Sequence, residues 1–253
     1  MRELERDSSD DPSCCRRVAV IGRGRLGTAL ADALIGAGYE VLGPFGRGAD
    51  GAGADAVLLC VPDKEIAAAG AAIRADVPVG HCSGATGLEP LVPHEAFSLH
   101  PLMTVTAAGA EFAGAGAAID GSTPRALRLA REFAVMLGMH PVRVAPEDRP
   151  LYHAAASIAS NFLVTLEAAA ERLAADAGLE RSRLVPLVRA AVENWATLGG
   201  ERALTGPVAR GDDATVARQR AAIEEHAPEL VELFDALVET TRMIATRREP
   251  VAA

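Results

Sequence analysis

Lysine is almost absent from this chain. Lys64 is the only one, so nearly all the positive charge is arginine. Chemistry that needs an ammonium group therefore has one candidate position. Aromatic residues are also few, at 4% of 253 residues with one Trp and two Tyr. The 49% hydrophobic content is instead mostly aliphatic, and Ala-rich interiors suit closely packed helices. Positive charge is in deficit: 25 Lys and Arg against 34 Asp and Glu leave a net charge of −9. That balance argues against nucleic-acid and anionic-membrane partners. No apolar run reaches membrane-spanning length. The first 13 residues are charged and lack the apolar core of a signal peptide, so residues 1–15 read as a disordered tail. Four cysteines, Cys14, Cys15, Cys60 and Cys82, show no metal-ligand spacing. Cys60 and Cys82 fall in expected strands and read as buried small hydrophobes. These absences predict a cytoplasmic protein with reduced thiols and no metal.

The most informative stretch runs from Arg17 to Gly27. Residues 18–21 are a short apolar run, the pattern of a buried strand. Gly22-x-Gly24-x-x-Gly27 follows, and an apolar, Ala-rich helical pattern covers 26–37. Strand, glycine loop and helix in that order form the dinucleotide-binding fingerprint. Gly22 permits the turn. Gly24 lets a pyrophosphate approach the backbone, and Gly27 lets helix and strand pack closely. The helix N-terminus then faces the phosphates.

Further strands read at 38–43, 54–61, 77–82, 97–100 (stopped by Pro101), 115–119 and 141–144, with helices at 64–75 and 125–137. Alternation of this kind implies an α/β domain, a parallel sheet covered on both faces. After residue 148 no strand is expected. One long helix reads at 151–177, a second at 183–198, a loop at 205–212, and helices again from Ala214 and from Glu229. The expected organisation is a sheet domain at 16–148 and an all-α domain at 149–253.

NAD-binding folds place an Asp or Glu at the end of the second strand. Here that region, 43–48, carries Arg47 and no acid. Arg47 could pair with a 2′-phosphate, which favours NADP(H) over NAD; otherwise it is a solvated loop residue. The cofactor-binding candidates are Gly22, Arg23, Gly24, Arg25, Leu26, Gly27, Arg47, Val61, Pro62 and Ser83. In the helix after residue 150, His153, Ser157 and Asn161 are spaced by four. They share a face at about 100° per residue. A polar stripe on an apolar helix needs partners, so it is either an active site or a helix–helix hydrogen-bond network.

The chain resembles the 6-phosphogluconate-dehydrogenase-like superfamily, which includes ketopantoate reductase and pyrroline-5-carboxylate reductase. It looks most like a family with a Rossmann-like N-terminal domain and a helical C-terminal domain of unknown function. The glycine motif carries this likeness, with His81-x-Ser83-Gly84, His100-Pro101, Tyr152-His153, Ser160-Asn161 and the segment 204–212. The resemblance implies a Rossmann-type sheet followed by helices, NADP(H), a small-molecule substrate and a homodimer through the helical domain. In ketopantoate reductase a Lys opens the comparable helix, with Asn four and eight positions later. This chain has His153, Ser157 and Asn161 there. His153 would then donate the proton, since an unperturbed imidazole titrates near neutrality.

His100 stands at the expected carboxyl edge of the sheet, where it contacts nicotinamide or substrate, or simply packs in its loop. His81 reads as structural. Arg210 suits a substrate carboxylate, with Thr205, Asp212 and Asn194 as neighbours in substrate binding; the alternative is an Arg210–Asp212 surface pair. Trp195 reads as core. Together these predict a reductase of a carboxylate-bearing carbonyl, such as 2-ketopantoate. The alternatives are an imine of the pyrroline-5-carboxylate type, a deazaflavin-linked NADP reductase, or a non-catalytic NADP-binding sensor or assembly protein.

Overall fold

The computed structural model describes residues 15–74 and 76–247. Residues 1–14, and with them Cys14 and nearly all of the expected tail, lie outside the described residues, as do Ala75 and residues 248–253. The chain divides into two compact units, Met1–Ser160 and Asn161–Ala253.

Seven strands form one sheet in the first unit: β1 Arg17–Ile21, β2 Glu40–Phe45, β3 Ala56–Leu59, β4 Val79–His81, β5 Ala96–Leu102, β6 Gly116–Gly121 and β7 His140–Arg143. Their spatial order is β2-β1-β3-β4-β5-β6-β7. All neighbours are parallel except β5 and β6. Helices α1 Arg25–Gly36, α2 Ile66–Ala71 and α3 Pro124–Met136 connect them. The expected Rossmann-type architecture is present. The antiparallel β5–β6 pair is the departure from a purely parallel sheet.

Alternation along the strands explains the two-sided burial. Val18, Val20 and Leu58 join one core with Leu30, Leu34, Phe97 and Phe133. Ala19, Ile21, Val57 and Leu59 join the other with Ile66, Val79 and Leu91. Successive side chains point to opposite faces, so near-continuous apolar runs mark strands covered twice.

Several boundaries differ from expectation, three of them by more than the fraying of an end. The helix expected over 64–75 is a 3-10 turn, Asp63–Glu65, followed by the shorter α2. Strand β5 does not stop at Pro101 but runs on to Leu102 against β6. Pairing with β4 ends at Ser98, so on that side no ladder bond is asked of the proline. The long helix expected over 151–177 is broken. It comprises α4 Arg149–Ser157, a π turn Ile158–Phe162 and α5 Leu163–Asp176. The division between the units falls inside that π turn.

The second unit is helical. It holds α5, α6 Arg181–Leu198, α7 Gly200–Ala203, α8 Gly206–Arg210, α9 Asp213–His226 and α10 Val231–Thr246. The stretch expected as a loop at 205–212 contains α8, with Pro207 in its first turn, where a missing N–H costs nothing.

Candidate active site

The chain crosses back over the sheet between β2 and β3, leaving β1 and β3 adjacent. Ligands of open α/β sheets bind at such a switch point, beyond the carboxyl ends of the strands. The glycine loop sits there. An added Cβ at Gly22 would run into the Cys60 carbonyl oxygen, and one at Gly27 into the Gly22 oxygen. Gly22 also has φ +124°, a conformation that L side chains rarely adopt. Gly24 is different, since no atom lies within 4 Å of a Cβ built on it. The protein itself does not demand glycine there, but a closely approaching ligand would. Gly24 is also the N-cap of α1, with no side-chain cap and no acid in the first turn. The helix therefore presents unsatisfied N–H groups and its positive end to that space. Arg25 and Leu26 open the helix, and Arg23 donates from Nε to the Pro44 oxygen at 3.3 Å.

Beside this loop lies a cavity of about 350 Å³, lined by Ile21, Arg47, Val61, Glu65 and the α2 alanines among others. Arg47, the residue expected to meet a 2′-phosphate, lines this cavity, but it is engaged. Its Nη2 and Nε reach Glu65 at 2.5 and 3.2 Å. Pro62 follows Val61 at the head of the 3-10 turn that carries Glu65.

Further along the same edge, beyond β4 and β5, is a polar cluster. Ser83, a cofactor-binding candidate, donates its backbone N–H to His81 Nδ1 at 3.2 Å. Its hydroxyl donates to Asp63 at 2.8 Å and accepts from the Ala85 and Thr86 N–H groups. His81 is fully buried, with Nε2 2.8 Å from the Gly87 oxygen, and burial lowers its pKa. Both contacts fit a structural role.

Arg149 is the least expected member. It is only 1% exposed. It donates to the Ser83 oxygen at 3.3 Å, the Thr86 oxygen at 3.1 Å and Ser98 Oγ. No carboxylate pairs with it among the described residues, and its Nε has no partner. Removal from water lowers its pKa. One turn later on α4 come Tyr152 and His153. Arg149 thus ties the start of α4 to the Ser83–Thr86 loop and to β5.

His100 Nδ1 lies 2.7 Å from the Tyr152 hydroxyl. The His100 and His153 rings are 6.2 Å apart. Gly84 is wedged between them: a Cβ there would lie 2.8 Å from His153 Cδ2 and 3.0 Å from His100 Nε2. Burial, then the nearby His153 and Arg149, lowers the His100 pKa to about 4. Burial raises that of Tyr152. At neutral pH the pair is a neutral imidazole and a neutral phenol. With Nδ1–H donating to the phenolic oxygen, the Tyr152 proton is free to be given outward.

The other candidates are less concentrated. His153 is exposed and Ser157 half-buried. Asn161, within the π turn, is the first residue of the second unit, and its carbonyl accepts from Thr165 Oγ1 at 3.1 Å. Thr205 is the N-cap of α8, and Arg210 ends that helix exposed. Asp212 caps α9, accepting from the Thr215 N–H at 3.0 Å; that bonding to Thr215 lowers its pKa. The Arg210–Asp212 pair is not formed. Asn194 is exposed on α6. Trp195, expected in the core, is 61% exposed.

The family model described as a domain of unknown function, DUF2520, matches residues 115–241. The chain belongs to that family. No curated protein matches it. Among solved structures, it resembles a Bacteroides fragilis protein proposed as an NADP oxidoreductase, 19% identical with a TM-score of 0.78, over 90% of this chain and 98% of that one. Pyrroline-5-carboxylate reductase from Streptococcus pyogenes is 13% identical with a TM-score of 0.61, over 91% and 98%. A reductive aminase from Aspergillus terreus, solved with NADPH and ethyl levulinate, is 14% identical with a TM-score of 0.64, over 92% and 98%. At these identities the likeness establishes a shared fold.

Sequence reasoning passed over Tyr152, Arg149, Asp63 and Glu65. A signal existed for Tyr152, which directly precedes His153 in a motif singled out above. None existed for Arg149, since a buried arginine looks like a surface one in sequence.

Proposed function

We propose that this protein is an NADPH-dependent reductase of a small, carboxylate-bearing carbonyl or imine compound, working as a homodimer. The observation that carries the reading is an open, uncapped glycine loop on the same sheet edge as the His100–Tyr152 pair. The fold likeness to pyrroline-5-carboxylate reductase and to a reductive aminase held with NADPH supports it.

Gly22, Gly24 and Gly27 with the first turn of α1 would hold the cofactor pyrophosphate, and Arg23 and Arg47 would lie toward the ribose. A bound NADPH supplies the hydride. The protein must then meet the negative charge that appears on the substrate heteroatom. Tyr152 donates its hydroxyl proton to that atom, and His100 Nδ1–H stabilises the phenolate left behind. The buried Arg149 charge, which has no close ion-pair partner among the described residues, favours the same anion. His153 stands at the mouth of the pair and is the second candidate donor. On the helical unit, Ser157's neighbour in sequence pattern, Asn161, and the exposed Arg210, with Thr205, Asp212 and Asn194, remain the candidates for substrate contact. Arg210 suits a carboxylate by two-pronged pairing.

The homodimer reading rests on α6. Leu187, Ala191, Trp195 and Leu198 fall within an arc of about 80°. No residue of this helix is buried, and that arc carries no charge. Large obligate interfaces resemble a domain core cut in half, and this face is of that kind.

The test is a screen of the purified chain for NADPH oxidation with 2-ketopantoate, other 2-oxo acids and cyclic imino acids. Turnover of one class identifies the substrate. Tight NADPH binding with no turnover of any favours the sensor or assembly reading. Gly24→Val should abolish NADPH binding with an unchanged melting temperature, because its side chain meets only the cofactor's space.

A further inference from the structure

The arginine at the ribose corner is already engaged. Arg47 uses Nε and Nη2 together, at 3.2 and 2.5 Å, on the two oxygens of one carboxylate, Glu65. This is the edge of the guanidinium that best grips a phosphate. The carboxylate is the anchored partner, at 25% exposure against 85% for the arginine. Both line the same 350 Å³ cavity beside the glycine loop. Glu65 arrives from the turn after β3, whereas the acid of NAD-binding folds is sought at the end of β2. An acid is thus present at this corner by a different route through the chain.

We propose that Glu65 sets the choice between the two nicotinamide dinucleotides, by withholding Arg47 from a 2′-phosphate and by offering its own carboxylate to a free ribose 2′-hydroxyl. The proposal rests on the cofactor reading above. A 2′-phosphate entering this corner must displace Glu65 from the guanidinium and then lie beside a like charge. A 2′-hydroxyl meets a ready acceptor and disturbs nothing. The pair therefore restrains the preference for NADPH that Arg47 alone would confer. A neutral residue at 65 releases the arginine and removes the repulsion together.

Calorimetric titration of the full chain with NADPH, NADH and adenosine 2′,5′-bisphosphate tests this, for the parent, Glu65→Gln and Arg47→Ala. The bisphosphate lacks nicotinamide and reports on the corner. In Glu65→Gln the preference for NADPH over NADH should rise about 2- to 5-fold, the scale of one exposed charge contact. The bisphosphate should tighten in parallel. In Arg47→Ala the preference should fall below the parent's, because Glu65 is left facing the phosphate alone. An unchanged preference in Glu65→Gln, with both dinucleotides still bound, overturns the proposal and leaves the cofactor reading standing. Equal weakening of both dinucleotides also overturns it, since Glu65 would then only support the loop. Failure of the parent to bind either dinucleotide overturns the cofactor reading, and the proposal with it.

Discussion

The two units of this chain solve burial in opposite ways. In the sheet unit, β1 and β3 are buried on both faces, and whole strands such as Ala56–Leu59 have no exposed residue. In the helical unit, α5 and α6 contain no buried residue, and the buried hydrophobics are Val216, Ile223, Ala227 and Val238. Each fully buried aliphatic side chain contributes roughly 1.5–3 kcal/mol. The sheet unit has many such side chains and the helical unit few. The difference teaches that a helix pattern with an apolar stripe does not say what covers the stripe. In the sheet, strand pairing and crossover helices supply the cover within one chain. For α6, which has no buried residue within its unit, a second copy is the proposed cover.

The strongest way to sharpen the comparison is to place the chemistry in the sheet unit. Tyr152→Phe removes one oxygen from the pair with His100. It should lower kcat by about 10²–10⁴-fold on the true substrate, with NADPH affinity unchanged, as steady-state kinetics and titration would measure. If Tyr152→Phe is silent and His153→Ala carries that loss instead, the donor is His153, as the motif alone suggests.

A second experiment would break the comparison from the helical side. Trp195→Glu puts a charge in the middle of the exposed apolar arc of α6. Buried aromatic anchors at interfaces are often worth 2 kcal/mol or more, about 30-fold in affinity. Light scattering should therefore show the parent as a dimer and Trp195→Glu shifted toward monomer, with its far-ultraviolet dichroism unchanged. A monomeric parent would end the dimer reading.

A third experiment reads a pH dependence belonging to the sheet unit. His100 titrates near 4 when folded, against an ordinary 6.5. Below about pH 6.5 the unfolded chain takes up a proton that the folded chain refuses. Stability is then full above that pH and is lost as pH falls toward 4, by roughly 2–3 kcal/mol. Buried His81, also lowered, acts in the same direction. Urea unfolding at several pH values should show this slope, and His100→Gln should flatten it. An equal slope in the variant would mean that His100 is not the group responsible.

The sequence by itself determined the sheet, the glycine loop and the corner arginine. Those features are local: apolar runs of strand length, glycines at fixed spacing between a strand and a helix, and an arginine where an acid is missing. His81 reads as a structural residue from its place at a strand end. Tertiary structure alone decided what those groups do to one another. It brought Glu65 from the turn after β3 to Arg47 after β2, because β2 and β3 flank the same strand. It buried Arg149 without a carboxylate and set His100, 52 residues before Tyr152, within hydrogen-bond reach of its hydroxyl. It also left Trp195 uncovered, where composition placed it in a core. Spacing along a chain encodes the period of a helix or strand. Which side chains meet across elements depends on strand order, and strand order is set by how the whole sheet buries its two faces.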